Sequence, residues 1–509
     1  MSNVTELLSS YGISFSQGRE FIYANLDSPQ VIYSTALEYG VTFSMIAELY
    51  GQGVSEADVI GFFDALDFNT SDTRLLGTAP GVLELSLQSN TAYGVSALAN
   101  SSTPFVNSLI SGASWDGSNV YYSFPSRIPS IYREDWDTSS GWRALNSAEQ
   151  TLFKAVVASQ NAYLDLNLIE ASSFITGSIQ VSAVDQDSAE AFAFFPGQEI
   201  GGDIFLNRDG GDENYYDVGG YGIFTMAHEL GHAMGLDHSF EGVKLNTYND
   251  NTDFTIMSYT MLGGYEVEAL DQGARYSTYT VDAYRTELGI IDVAALQAMY
   301  GADMSTHTGD TLYVYNEAQR GFESAAGHYH TIWDAGGNDT LDLSAAKYNS
   351  TINLNDYTLS SVSERTSFEE AVEVAHDAGL TSQASITFIQ DFIDELGEQA
   401  FLNHNNLGIA YGVVIENVIT GSGDDSVIDN EVDNQIYTGS GNDEIYLGAG
   451  GYDYVNGGAG NDTVVLNVNY ADAERYADND GYHLLADDFA ATLVGVETVH
   501  YLDLSESIV

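Results

Sequence analysis

His228, Glu229, His232 and His238 lie in one short run, His228-Glu229-Leu230-Gly231-His232-Ala233-Met234-Gly235-Leu236-Asp237-His238, whose spacing can assemble most of a metal-dependent hydrolase. On a helix, residues four apart share a face, so His228 and His232 can present two imidazoles to one ion. Glu229 lies beside that pair, where a carboxylate can act as general base on a water. Gly235 can adopt the positive φ that ends a helix and turns the chain back, delivering His238 as a third ligand. Three protein ligands leave one zinc position open, the pattern of a catalytic rather than a structural site. An amphipathic core helix with satisfied histidines would not explain a third histidine at this spacing.

A second signal follows at Thr255-Ile256-Met257-Ser258-Tyr259. The extended zinc motif followed by such a turn resembles the metzincins, in which a methionine packs beneath the metal site. Tyr259, two positions beyond Met257, is similar to the tyrosine of the serralysin branch. The resemblance implies that Tyr259 is a further zinc ligand in the resting enzyme and moves away to stabilise the oxyanion. Serralysins usually carry Pro directly after the third histidine; this chain has Ser239 there, as matrixins do.

From residue 421 a glycine–aspartate rhythm sets in. Asp425, Asn434, Asp443, Asp453 and Asp462 step by nine, nine, ten and nine residues, and Val427, Ile436, Ile445, Val455 and Val464 recur in phase with them. This is the nonapeptide of calcium-binding parallel β-rolls, the RTX repeat. Glycines (Gly421, Gly423, Gly439, Gly441, Gly450, Gly458, Gly460) permit tight turns and offer carbonyls, the aspartates add hard oxygen ligands, and the aliphatics line short inward-facing strands. With turns on alternate edges, calcium should lie between Asp425 and Asp443, Asn434 and Asp453, and Asp443 and Asp462. A flexible Gly/Asp linker would not keep the aliphatics in phase. An isolated relative of the repeat, Asp334-Ala335-Gly336-Gly337-Asn338-Asp339, with Thr308-Gly309-Asp310-Thr311 upstream, resembles the serralysin junction between protease and roll. By that resemblance His307, Gly309, Thr311, Asp334, Gly336 and Asp339 hold a calcium.

The elements that must position these groups divide the chain. Residues 106–305 read as the catalytic domain: a strand near Val120–Phe124, a helix near 146–164, short strands at Ala191–Phe195 and Gly202–Asn207, and a closing helix at Asp292–Tyr300 stopped by Gly301. In metzincins an edge strand above the zinc holds substrate by main-chain pairing, a role open to Ala191–Phe195, for which an ordinary core strand is the equal alternative. Residues 306–509 form the roll, with a helical insertion at about 364–405 that includes Ser367–Val372 and Ile389–Ile393. Residues 1–105 contain three candidate helices (28–40, 42–50 and 55–66) and a polar stretch, 67–105, suited to a linker; the extension reads either as a propeptide removed within that linker or as a permanent accessory module that binds a partner or surface. The expected fold is an α+β metzincin protease domain, then an all-β parallel β-roll, behind an N-terminal helical extension.

Composition bounds the partners. The 509 residues carry 14 Lys and Arg against 74 Asp and Glu, a formal net charge of −60 that repels nucleic acid and anionic membranes and attracts cations. There are no cysteines, so neither a disulfide nor a thiol latch on the zinc can form. No apolar run is long enough for a transmembrane helix. Met1–Glu6 lacks the features of a cleavable signal peptide, while Glu506-Ser507-Ile508-Val509 resembles the export signal of type I secreted proteins. The reading is a secreted, monomeric zinc endopeptidase with one catalytic Zn2+ and several structural Ca2+, acting on proteins or peptides. Glu229 would take a proton from water and pass it to the leaving amine while Tyr259 supports the oxyanion. A calcium-organised adhesion protein and a zinc-dependent deacylase are the competing functions.

Overall fold

The computed structural model describes residues 92–94 and most of 105–508; it leaves out 130, 133–135, 172–178, 187–190, 198–199, 210–215, 217–218, 262–264, 272–275, 283, 326, 487–488 and much of 367–400. The three candidate helices of the N-terminal extension, and nearly all of the two in the insertion, lie outside the described residues. Within the stretch read as linker, β1 (Ala92–Gly94) pairs antiparallel with β2 (Ala113–Trp115).

The part of the chain before the repeats is a mixed sheet backed by helices. Its strands are β3 (Asn119–Ser123), β4 (Arg143–Ala144), β5 (Asn167–Glu170), β6 (Ile179–Val184), β7 (Ala191–Ala193) and β8 (Ile204–Asn207). The sheet order is β5-β3-β6-β8-β7, parallel except for β7, with β4 flanking β6. Helix α1 (Ser147–Asn161) starts where the sequence places it: Asn146 accepts from the backbone N–H of Ala148 and Glu149, and Glu149 accepts from that of Asn146, a capping box. Arg143 clamps the same Glu149 through two 2.8 Å bonds. Helix α2 (Tyr221–Ala233) carries the first zinc-motif histidines and is buried along nearly its whole length. A hairpin of β9 (Tyr265–Asp271) and β10 (Tyr276–Asp282), absent from the sequence reading, then leads to α3 (Ile290–Tyr300), closed by Gly301 at φ 82°.

The remainder is a roll of two parallel sheets visited alternately. Val418, Ile436, Val455 and Leu493 stand in register in one, and Val427, Ile445, Val464 and Val499 in the other. All eight are buried, so the phase that the repeats show in sequence becomes one continuous apolar column per sheet. At about 1.5–3 kcal/mol per buried aliphatic, these columns are the main apolar support of strands only three to five residues long. The turns need glycine: Gly460 has φ 154°, and a Cβ there would lie 1.5 Å from the Gly441 carbonyl oxygen. The insertion leaves the roll through a clasp in which Arg365–Thr366 pairs antiparallel with Phe401–Leu402.

Candidate zinc centre

Helix α2 ends just past His232, and the chain must reverse within two residues to bring His238 back. Gly235 makes the reversal at φ 100°, where the N–H of Leu236 returns to the Gly231 carbonyl. A Cβ on Gly235 would lie 2.2 Å from the Ala113 carbonyl oxygen, so β2 fits only against a glycine. Trp115 Nε1 donates to Ala233 O at 2.8 Å and Tyr300 Oη to Met234 O at 2.6 Å, fixing the helix end to β2 and α3.

His228, His232 and His238 converge: each offers a ring nitrogen, and the three lie within 4.8 Å of one another. The first two are oriented by carbonyls. His228 Nδ1 is 2.6 Å from Ile256 O and His232 Nδ1 is 2.7 Å from Leu236 O, so both Nδ1 atoms act as donors and both Nε2 atoms are left as acceptors toward the centre. Burial pulls the His228 imidazole down to about 4, and burial with the neighbouring His228 pulls His232 to about 3. Both are therefore neutral at pH 7, the form a metal needs. His238 Nε2 is 3.1 Å from His232 Nε2 and 2.9 Å from Tyr259 Oη, which brings Tyr259, 67% exposed, to the same point.

Glu229 is buried, its carboxyl pushed up to about 8 by desolvation, and its Oε2 has no hydrogen-bond partner among the described residues. A buried carboxylate oxygen with nothing to accept from is costly unless a proton, water or cation meets it. Three imidazoles, an adjacent phenol and this oxygen fit a zinc ion with an open position.

The Met-turn is tied down by carboxylates that sequence reasoning missed. Asp292, at the start of α3, accepts from Thr255 Oγ1 (2.5 Å) and from the N–H groups of Ile256 and Gly289 (both 2.8 Å), and so anchors Ile256, the residue whose carbonyl orients His228. Asp250 accepts from Ser239 Oγ (2.5 Å) and Ser258 Oγ (2.7 Å), joining the residue after His238 to the residue before Tyr259. Ser239 thereby has a positioning role at the place where serralysins usually carry Pro. Met257 packs under the helix, since a Cβ on Gly231 would lie 2.8 Å from its sulfur. Edge strand β7 runs alongside, and Phe195, just beyond it, meets the His232 ring edge-on at 5.6 Å.

The sheet-and-helix part that carries the histidines meets the roll through a buried polar junction. Arg285 donates to Thr252 O (3.1 Å), Thr331 Oγ1 (3.2 Å) and Asn405 O (3.3 Å), and Glu287 lies 2.9 Å from His330 Nδ1. Nearby, the residues chosen by resemblance come together. Thr311 N–H donates to Asp339 Oδ1 (2.7 Å), Thr311 Oγ1 to Gly309 O (2.9 Å) and Gly336 N–H to Asp334 Oδ1 (2.9 Å); His307 Nδ1 is 3.3 Å from Trp333 O.

In the roll, one column of turn carboxylates stacks in register. The N–H of Asp425 donates to Asp443 Oδ1, that of Asp443 to Asp462 Oδ1 and that of Asp462 to Glu497 Oε2, all within 3.0 Å. Gly421, Gly439 and Gly458, and likewise Gly423, Gly441 and Gly460, stack beside it, each later glycine against the carbonyl of the one before. Gly450, on the other edge, lies against the Glu431 carbonyl, and Asp453 Oδ1 accepts from the N–H of Asn434. The second oxygens of Asp339, Asp425, Asp443, Asp453 and Asp462 are buried without partners among the described residues. That suits a hard cation, and burial raises all five carboxyls. Glu416 and Glu497 extend the two carboxylate columns; their spacing from the repeats was the only sequence signal for them.

Comparison with known families places two descriptions on consecutive stretches: Matrixin over residues 114–256, and Peptidase M10 serralysin C terminal over 302–385 and 393–490. The chain is 33% identical over 258 residues to the metallopeptidase AprA of Pseudomonas marginalis, covering 48% of this chain and 46% of the relative. It is 31% identical over 346 residues to serralysin G of Dickeya chrysanthemi, covering 62% of each. It is also 31% identical over 349 residues to the metalloprotease AprA of Pseudomonas entomophila, covering 63% and 62%. The matched segments thus span between 46% and 62% of these relatives' lengths.

Proposed function

We propose that this chain, which belongs to the serralysin-type metzincins, is a secreted zinc-dependent endopeptidase. The observation that carries the reading is the meeting of three imidazoles with a buried carboxylate whose Oε2 has no partner among the described residues. His228, His232 and His238, with Tyr259 in the resting state, would hold the ion. Bound zinc would supply Lewis acidity toward a water and toward the substrate carbonyl.

The chain's own residues account for the rest. Glu229 accepts a proton from the attacking water and delivers it to the leaving nitrogen; its raised affinity for a proton suits a group that must hold one between these events. Tyr259 Oη, at the centre's exposed side, donates to the developing oxyanion. The outer edge of β7, unpaired among the described residues, offers main-chain pairing to an extended peptide, which favours broad protein specificity.

The domain boundaries are taken at 105/106 and 305/306, with residues 1–105 as an extension that is either a removable propeptide or a permanent accessory module, and about 364–405 as an insertion. The roll is assigned structural calcium, its ligands the aspartates and glycine carbonyls of the stacked turns together with the 307–339 junction. Export by a type I route rests on the Glu506–Val509 end, and the protein is taken to act as a monomer outside the cell. No helix among the described residues is long and apolar enough to cross a membrane. The test is digestion of an unfolded protein substrate by the purified chain: cleavage that stops in chelator and returns with added zinc supports the reading. A chain carrying zinc in full amount that cuts no peptide bond, but hydrolyses small acylated amides, would move it to the deacylases.

A further inference from the structure

The five turn aspartates with unpartnered buried oxygens have a counterpart that behaves oppositely. Asn434 stands in their position in the repeat, between Glu416 and Asp453 in the register of the same sheet. Its side chain is nonetheless fully used. Asn434 Nδ2 donates to Glu416 O at 3.1 Å and to Asn430 Oδ1 at 2.9 Å, and its Oδ1 accepts from the N–H of Asn430 at 3.2 Å. Asn430 completes the lattice: its Nδ2 donates to Leu354 O (3.1 Å) and Ile415 O (2.8 Å), and its Oδ1 also accepts from the N–H of Val432 (3.2 Å). Both asparagines are buried.

The carbonyls of Leu354, Ile415 and Glu416 therefore converge on amide N–H groups. Calcium is bound by oxygens alone, and an –NH2 group directed at the same carbonyls takes up the lone pairs the ion would need while adding donors that repel it. The local sequence agrees, because Asn430-Glu431-Val432 lacks the glycines found in the other turns. We infer that Asn430 and Asn434 replace a cation with an amide lattice, so that this turn forms without calcium and Asn434 is not a calcium ligand. The inference rests on the calcium reading of the neighbouring carboxylates. It gives the roll one turn, at Asn430–Asn434, already closed before calcium arrives.

Asn434→Ala, Asn430→Ala and, as a positive control, Asp443→Ala test this in the full chain. Two quantities are read: calcium bound per chain at saturating free calcium by equilibrium dialysis, and the thermal midpoint of the roll with and without chelator. Both asparagine variants should bind as many ions as the wild type and melt several degrees lower in chelator and in calcium alike. Asp443→Ala should bind fewer ions and lose stability only when calcium is present. An asparagine variant that loses an ion, and matches the wild-type midpoint in chelator, overturns the inference. A wild type that binds no calcium refutes the reading of the carboxylates instead, and the chelator midpoints of the asparagine variants still decide the amide lattice.

Discussion

Without calcium, the roll should be most stable in mild acid and weaken as pH rises, the reverse of its behaviour with the ion bound. Burial raises Asp443 and Asp462 to about 6 and Asp453 to about 7, against an ordinary aspartate value near 3.9. A carboxyl whose folded pKa exceeds its unfolded one binds the proton more tightly when folded. The stability this gives is fully present below about pH 4 and is lost as pH rises through 6 to 7. At roughly 1.4 kcal/mol per unit, the three shifts set an upper bound on the order of 10 kcal/mol, and because the turns lie at the roll's edge close to solvent we discount this to about 3–4 kcal/mol. That is a large share of a domain's stability of roughly 5–15 kcal/mol. Calcium reverses the sign, since protons then compete with the ion for the same oxygens. The assay is thermal melting of the full chain from pH 5 to 8, followed by circular dichroism, in chelator and in millimolar calcium. A midpoint in chelator that is flat or rises with pH would refute the linkage argument.

Other perturbations probe the shell of the zinc centre. Asp250→Ala leaves two buried serine hydroxyls without their acceptor and should destabilise the catalytic domain by about 1–3 kcal/mol, lowering kcat more than KM; unchanged kinetics would deny the clamp a role. Gly231→Ala drives a methyl group toward the Met257 sulfur and should weaken zinc retention in a competition with a chelating dye, while the wild-type affinity in the variant would show that the contact yields freely. Tyr259→Phe should keep its zinc and lose roughly ten- to a hundredfold in kcat, so a fully active variant would remove Tyr259 from oxyanion support.

The site was legible in the sequence because its parts are local. The i, i+4 spacing of His228 and His232, the glycine that turns the chain and the Met-turn sit within 32 residues (228 to 259). The start of α1 at Asn146 and the Gly301 stop of α3 were equally readable, since each depends on one capping residue. What escaped acts across distance. Asp292 reaches a turn 36 residues earlier, and Arg285 joins Thr252 to Thr331 and Asn405, contacts that leave no periodic trace. The hairpin 265–282 did carry a signal, an apolar–polar alternation from Tyr265 to Ala269 ahead of Gly273, and it was passed over. Asn434 shows the limit of counting repeats: its position equates it with the aspartates, but its bonds are set by Asn430, which stands where the neighbouring repeats carry Gly421 and Gly439.

The central claim, that Glu229 performs the proton transfers at a zinc held by three histidines, is tested by Glu229→Ala with metal content and peptidase activity measured on the same sample. Glu229 supplies no ligand atom to the His228–His232–His238 group, so the variant should retain one zinc per chain while cleavage of a protein substrate falls at least a hundredfold. A zinc-loaded Glu229→Ala chain that cleaves at the wild-type rate would contradict the account.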